Sequence, residues 1–173
     1  VDVEWRPFYL RPDTPPEGME LPDYIKQART NGSEERLRSM ASMYGMEFVS
    51  PERIFNTRIA HESTEYAREK GRVLQFHKTV FQKIYAQGLD ISNWDVLRAA
   101  AVEVSLDADE MQKNVESEKY RMDVANQVRW AWQIGVTGVP TYVINDRYAL
   151  VGAQPYEAFQ KTLEKIKDQT DLS

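Results

Sequence analysis

The sequence predicts an α/β protein in which an all-helical block lies between an N-terminal strand and a C-terminal β-hairpin followed by a helix. Three observations support this class. Apolar and charged residues alternate over residues 1–6, helical periodicity dominates from about residue 24 to residue 134, and two β-rich runs flank a turn signal at Asn145 and Asp146. Strands at both ends with helices between them are typical of an α/β arrangement that carries a helical insertion.

The N-terminal strand is predicted over residues 1–10. Valine and tryptophan alternate there with charged side chains, which is the two-residue period of a strand. Pro7 ends this strand or places it at a sheet edge, because proline has no N–H to donate to a ladder. Residues 11–18 are rich in proline and show no periodicity, so they are predicted to form a loop.

The middle of the chain is predicted to be helical almost throughout. A first helical stretch is interrupted at Asn31 and Gly32, and Gly71 follows a later helix as a C′ glycine would. Ser92 is predicted to cap one helix and Asp107 another. The predicted helices in this part of the chain are residues 57–70, residues 73–87, one helix after each of these two caps, and residues 119–134.

The hydrophobic pattern changes after residue 134. Residues 141–144 and 148–151 are short β-rich runs, and the Asn145-Asp146 turn between them predicts an antiparallel hairpin. Pro155 then opens a final helix, since proline is favoured at the first helical position.

Composition excludes several classes of function. The 173 residues carry 27 acidic and 22 basic side chains, a formal charge of −5 and no basic run, which argues against nucleic-acid binding. No apolar stretch is long enough to span a membrane, so no membrane partner is expected. Cysteine is absent and there are two histidines, so neither a metal site nor a dithiol is predicted within these residues.

The most informative segment is residues 135–144 (GVTGVPTYVI), in which a helix ends at glycine and a proline immediately precedes a strand. From spacing alone, a trans proline at the start of an edge strand is the commoner arrangement, since cis bonds are about 5–6% of X–Pro bonds. Together with residues 152–155 (GAQP), this segment resembles the C-terminal half of DsbA-type thioredoxin-fold proteins. In that family the proline is cis, so the resemblance implies a cis bond between Val139 and Pro140.

The resemblance extends over essentially the whole chain. Residues 3–8 (VEWRPF), with Pro12, Glu17 and Gly18 after them, look like the second strand and loop of the FrnE-like branch of that family. Residues 56–61 (NTRIAH) look like the opening of its helical insertion. This branch is related to the 2-hydroxychromene-2-carboxylate isomerases and to the kappa-class glutathione transferases.

The resemblance also implies a domain organisation. A thioredoxin-like core would comprise residues 1–22 and 135–173, and a helical insertion domain would comprise residues 23–134. Family members begin with a strand, a Cys-Pro-x-Cys motif and a helix, all of which precede the strand that residues 3–8 resemble. This segment is expected to be missing from the chain, and the core is therefore expected to be incomplete.

The function implied for the parent protein is DsbA-type thiol–disulfide oxidoreduction. A thiolate at a helix N-terminus drives that exchange, so the chain alone is expected to be inactive and none of its residues is assigned as catalytic. Val139 and Pro140 are expected to present their backbone to the substrate. Asn56, Thr57 and His61 are expected near the same cleft.

Alternatives remain for the function and for single residues. A glutathione-dependent isomerase or transferase with a serine in place of the first cysteine is a second function class, and a truncated, non-catalytic binding module is a third. A surface or helix-packing position is an equal alternative for His61, whereas His77 is expected in the core or at its boundary. Four aromatic residues are expected to be helical core rather than a cofactor site: Trp94, Tyr120, Trp130 and Trp132.

The expected partner is a protein or small-molecule disulfide or thiol substrate, with a homodimer left open. No bound metal or cofactor is expected, although glutathione would enter under the isomerase or transferase alternative. The 173 residues show no signal-peptide pattern, and a cytoplasmic location is expected.

Overall fold

The structure of the protein is a computed structural model that describes residues 2–170, with side chains described to Lys167. The chain divides into two compact units, Val1–Val128 and Arg129–Ser173. The grouping of residues 1–22 with 135–173 around an insertion at 23–134 stays a prediction.

The first unit opens with an irregular stretch and a small ladder. Strand β1 is Met19–Glu20 and strand β2 is Arg53–Ile54, and the two pair antiparallel. Helices α1 (Asp23–Ala28) and α2 (Glu34–Met43) lie between these strands in the sequence. They are separated by a kink at which Gly32 has φ +80°, which confirms the interruption predicted there. The β1–β2 ladder was not predicted from the sequence, and it places a short strand within the block expected to be all-helical.

Five further helices follow, and most of their ends have a local cause. Gly71 takes φ +69° directly after the end of α3, a backbone conformation that costs glycine little. The Asp107 side chain accepts hydrogen bonds from the N–H groups of Asp109 and Glu110, which confirms it as a cap. These helices are α3 (Arg58–Glu69), α4 (Val73–Tyr85), α5 (Trp94–Glu103), α6 (Ala108–Glu116) and α7 (Arg121–Gln133).

The cap predicted for α5 is wrong. The Asn93 side chain accepts the N–H of Asp95 at 2.8 Å and so caps this helix. The hydroxyl of Ser92 instead donates to the carboxylate of Asp90 at 2.6 Å, within the preceding turn. Serine and asparagine cap helices about equally well, so the sequence could not decide between two adjacent candidates.

The core of the first unit is formed by α3, α4, α5 and α6, which contact one another in the pairs α3–α4, α4–α5, α5–α6 and α3–α6. Apolar side chains at helical spacing close this core, as the periodicity predicted. The largest of the fully buried apolar side chains are Tyr66, Phe76, Leu97, Met111 and Val115.

The second unit contains the predicted hairpin and closing helix. Strands β3 (Thr141–Ile144) and β4 (Tyr148–Val151) pair antiparallel with Val143 opposite Ala149, which confirms the hairpin at its predicted boundaries. Helix α8 spans Tyr156–Thr170 and begins directly after Pro155. The ring of Tyr142 meets the ring of Phe159 edge to face at 4.6 Å between centroids, which packs the hairpin against α8.

The N-terminal strand predicted over residues 1–10 is wrong for residues 2–10, and Val1 lies outside the described residues. The burial of this stretch does not alternate, because Val3 is 68% and Trp5 43% exposed, whereas Pro7 is buried. An alternating pattern cannot form a strand without a neighbouring strand to receive its hydrogen bonds. Among the described residues, β1 pairs with β2 and β3 pairs with β4, and neither ladder includes this stretch.

Candidate functional site

Asn56 and Thr57 lie immediately before α3. The Asn56 Nδ2 donates to the carbonyl of Thr14 at 2.7 Å, and its Oδ1 accepts the N–H of Arg58 at 2.9 Å. Both ends of this amide are therefore used to fasten the loop over residues 11–18 to the start of α3. Thr57 is half-buried and makes no capping hydrogen bond with its side chain.

His61 lies one turn further along α3 and is half-buried. Its ring meets the ring of Tyr9 edge to face, with 5.3 Å between centroids. Burial lowers the pKa of His61 to about 4, and the nearby His77 adds to this effect. The imidazole is therefore neutral near pH 7, so it can accept or donate a hydrogen bond but does not offer a positive charge.

Three charged residues, Glu62, Arg58 and Arg121, act electrostatically on Tyr9. Glu62 is 1% exposed and accepts two hydrogen bonds from Arg58, at 3.0 and 3.2 Å. Burial, together with the charge of Glu62, raises the pKa of Tyr9 to about 12, while Arg58 and Arg121 act in the opposite direction. The phenol therefore stays protonated. A neutral phenol and a neutral imidazole can position a polar substrate group, but neither one is an electrophile or a strong base.

His77 is the second histidine of the chain. Its ring lies between the rings of Trp5 and Phe81, with centroid separations of 4.5 and 4.4 Å. Burial lowers the pKa of His77 as well. The residue is half-buried, which agrees with the boundary position expected from the sequence.

The aromatic residues expected in the core do not form one set. Tyr120 is 4% exposed and Trp94 packs against the core, as expected. Trp132 is 48% exposed, so the expectation is wrong for this residue. Trp132 lies at the edge of the buried face of α7, and periodicity alone does not show where a buried face ends.

The proline loop lies at the start of the hairpin. The bond between Val139 and Pro140 is cis, in agreement with the resemblance. The hydroxyl of Thr141 donates to the carbonyl of Gly138 at 2.7 Å, and the N–H of Gly152 donates to the carbonyl of Pro140 at 2.8 Å. Val139 is 51% exposed.

The register of the hairpin determines which backbone groups of β3 face outward. Because Pro140 accepts from Gly152, the pairs 140–152, 142–150 and 144–148 alternate with pairs that exchange no hydrogen bonds. Thr141 and Val143 belong to the second kind, so their N–H and C=O groups point away from β4. Among the described residues, no strand other than β4 pairs with β3. The outward edge of β3 can therefore pair with another strand.

The sequence matches the DSBA-like thioredoxin domain over residues 1–164. The chain belongs to this family. It is 31% identical to the uncharacterized protein YwbO of Bacillus subtilis (strain 168) over 169 residues, which cover 94% of this chain and 81% of that protein.

Two solved structures have the same fold. A probable DsbA oxidoreductase, SCO1869, from Streptomyces coelicolor superposes with a TM-score of 0.85 at 25% identity, covering 92% of this chain and 73% of that one. A 2-hydroxychromene-2-carboxylate isomerase superposes with a TM-score of 0.73 at 18% identity, covering 88% of this chain and 75% of that one. The α/β thioredoxin-like fold class expected from the resemblance is thus confirmed.

The structure places the predicted site residues of this DSBA-like chain in two groups. Asn56, Thr57 and His61 lie together at the start of α3 in the first unit, and Val139 and Pro140 lie in the second unit. That the two groups form one substrate cleft stays a prediction. Within residues 2–170, no cluster of three potential metal ligands occurs, and none of the helices described is long and apolar enough to cross a membrane.

Sequence reasoning missed the polar neighbours of His61. Arg58 and Glu62 stand four residues apart on one helix face, a spacing that predicts an ion pair. This signal was available in the sequence. The proximity of Tyr9 was not, because it depends on the path of a stretch without regular secondary structure.

Proposed function

We propose that this protein acts in thiol–disulfide oxidoreduction of the DsbA type, as the part that receives the substrate beside a dithiol. The observation that carries this proposal is the open edge of β3 next to the exposed Val139, in a chain of the DSBA-like family. Because the 173 residues contain no cysteine, the dithiol has to be supplied from outside them.

The exchange itself requires two thiols. The thiolate of the first cysteine attacks one sulfur of the substrate disulfide, and the other substrate sulfur leaves as a thiolate. The thiolate of the second cysteine then attacks the mixed disulfide and releases the reduced substrate. Two electrons pass from the dithiol to the substrate, and the reverse sequence oxidises a substrate dithiol.

This chain would contribute two backbone surfaces to the reaction. The outward N–H and C=O groups of Thr141 and Val143 would pair with the strand that leads into the dithiol segment, completing the sheet. Val139 and Pro140, one step before that edge, would then hold an extended stretch of substrate beside the reacting sulfurs. Asn56, Thr57 and His61 would border the same cleft.

The remaining parts of the proposal concern partners and location. The substrate would be a protein or small-molecule disulfide or thiol, the location cytoplasmic, and a homodimer the alternative to a monomer. The oxidoreductase would need no bound cofactor. Glutathione binding would be the sign of the isomerase or transferase alternative, which no contact among the described residues favours over the oxidoreductase.

A pair of proline substitutions tests the use of the β3 edge. Val143→Pro removes an outward N–H from β3, and Ala149→Pro removes the outward N–H of its cross-strand partner on β4. In the protein encoded by the complete reading frame, Val143→Pro should abolish disulfide reduction and lower the unfolding midpoint, while Ala149→Pro should leave both close to wild type.

The same pair in the 173-residue chain is the control for damage to the hairpin. Both substitutions should change its stability equally there, because both affected N–H groups face outward. Equal effects in the complete protein would refute the use of the β3 edge. A complete reading frame that encodes no cysteine pair, or insulin reduction by the pure 173-residue chain, would refute the proposed function itself.

A further inference from the structure

The junction between α1 and α2 contains an asparagine followed by a glycine, Asn31 and Gly32. Asn31 is exposed and has φ −84° and ψ 16°, and Gly32 follows it with φ +80° and ψ 8°. Regular α-helices hold ψ near about −42°. Asn31 therefore lies outside the helical conformation although helices begin and end on either side of it.

Asparagine followed by glycine can react with its own backbone. The backbone nitrogen of the following residue attacks the side-chain amide carbon and closes a five-membered ring, which requires ψ of the asparagine to rotate away from its helical value. Glycine permits this approach because it has no side chain at the attacking residue. Around Gly32 the space is open, since a Cβ built there would meet nothing within 4 Å.

We propose that Asn31 is a site of spontaneous deamidation and isomerisation in the folded protein. The nitrogen of Gly32 forms a bond to Cγ of Asn31, its proton is lost, and the side-chain amide leaves as ammonia to give a succinimide. Water then opens the ring at either carbonyl. One opening gives aspartate and the other gives isoaspartate, and neither consumes an oxidant or a reductant.

The other asparagines provide an internal comparison. The chain has six asparagines, and Asn31 is the one that precedes glycine. Asn56 precedes threonine, and hydrogen bonds hold both ends of its side-chain amide. Asn93 precedes tryptophan, and its Oδ1 accepts the N–H of Asp95. Asn114 lies within α6.

The reaction would alter a junction that is held in place by contacts of Arg29. Arg29, two residues before Asn31, donates to the carbonyl of Pro51 at 2.5 Å and lies 3.9 Å from the carboxylate of Glu34. Either product adds one negative charge beside this arginine. Isoaspartate also lengthens the main chain by one carbon between α1 and α2.

The test is a timed incubation of the folded chain at mildly alkaline pH, followed by peptide mapping. The peptide containing Asn31 should gain the mass that results from replacing an amide by an acid, and it should split into aspartate and isoaspartate forms. An isoaspartate-specific methyltransferase with labelled S-adenosylmethionine should modify this peptide and leave the five other asparagine sites unlabelled. The rate should rise with pH, because the attacking nitrogen must lose its proton.

Two variants and a denatured sample decide the outcome. Asn31→Gln keeps Gly32 but would need a larger ring, and Gly32→Ala keeps the asparagine but hinders the attack, so both should lose the modification. The denatured protein provides the unrestrained rate, which the folded protein should approach. If the folded protein keeps Asn31 intact while the denatured protein deamidates there, the kink protects the site and the proposal fails. Labelling that persists in Asn31→Gln would also overturn it.

Discussion

The α3–α6 bundle and the irregular stretch over residues 2–18 belong to the same unit, yet they are held in different ways. The bundle buries apolar side chains at helical spacing, and two tyrosine–carboxylate pairs join α3 to α6 and to the turn that follows α6. The Tyr66 hydroxyl donates to Glu110 at 2.8 Å, and the Tyr120 hydroxyl donates to Glu69 at 2.8 Å. Each carboxylate also accepts from a lysine, Lys70 or Lys119.

The irregular stretch over residues 2–18 depends instead on single contacts with α3, α4 and the residues just before α3. Arg68 donates to the carbonyl of Trp5 at 2.6 Å, Asn56 donates to Thr14, and the two histidines contact Trp5 and Tyr9. Helix formation is local, whereas an irregular stretch is ordered by whatever long-range contacts it finds. Removing one of these contacts should therefore destabilise the stretch more than the buried area of the removed side chain suggests. The following substitutions test this difference between the bundle and the stretch.

The largest effect is expected in the bundle. Phe76 is fully buried on α4, so Phe76→Ala should lower the free energy of unfolding by about 3–5 kcal/mol. Phe81 lies on the same helix and is 49% exposed, and Phe81→Ala should cost about 1 kcal/mol through its ring contacts with His77 and Tyr85. Urea unfolding of both variants measures the difference, and equal losses would mean that α4 does not pack as described.

The same contrast explains what could be predicted from the sequence. The bundle helices and the hairpin at residues 141–144 and 148–151 follow from local periodicity, caps and a turn, and the structure reproduces them. The β1–β2 ladder joins residues more than thirty positions apart and has two residues in each strand, which is too short for a period to show. The N-terminal strand was predicted from alternation, which indicates faces but supplies no partner strand.

The candidate site divides in the same way. Val139 and Pro140 were predicted as site residues because their loop is a continuous motif. Asn56 and His61 were predicted as site residues from a resemblance, but their contacts with Thr14 and Tyr9 cross long stretches of sequence. Pattern reasoning can nominate such residues, and only the path of the chain shows what their side chains contact.

Gly18 lies against the backbone of β2. It has φ +73°, and a Cβ at this position would lie 2.5 Å from the carbonyl oxygen of Ile54. Gly18→Ala should therefore cost about 3 kcal/mol from the backbone conformation and the clash together. Gly45→Ala is the matched control, because Gly45 has φ +67° and open space around it, and it should cost about 1 kcal/mol. Similar midpoints for the two variants would contradict the close approach.

Protonation of His61 should loosen the contact between α3 and Tyr9. The pKa of His61 is lowered to about 4 in the folded chain, so the unfolded chain binds this proton more readily and stability is lost as pH falls from about 6.5 towards 4. Between about pH 7 and pH 5 the loss should be about 1–2 kcal/mol after allowance for the partial exposure of the ring. The charged groups near this pair are Glu62, Arg58 and Arg121, and His77 also faces His61.

His61→Gln should flatten the pH dependence of the unfolding free energy in this window. A smaller slope should remain, because burial lowers the pKa of His77 too, and His61→Gln with His77→Gln should remove it. The lowered pKa values of Glu69 and Glu110 affect stability below the range of the experiment. An unchanged slope in the double variant would assign the acid sensitivity to other groups.

The last comparison sets Asn56 against Thr57, which carries the smallest expected effect, and it separates anchoring from substrate binding. Asn56→Ala removes the donor to Thr14 and the acceptor for Arg58, and it should cost about 1–2 kcal/mol. Thr57→Ala next to it removes no capping hydrogen bond and should cost less than about 0.5 kcal/mol. Asn56→Asp retains the acceptor at the start of α3 but not the amide donor. Its cost in unfolding free energy should therefore fall between those of Asn56→Ala and Thr57→Ala. If Asn56→Asp unfolds like wild type, the bond to Thr14 does not hold the loop, and the side chain of Asn56 is available to a substrate.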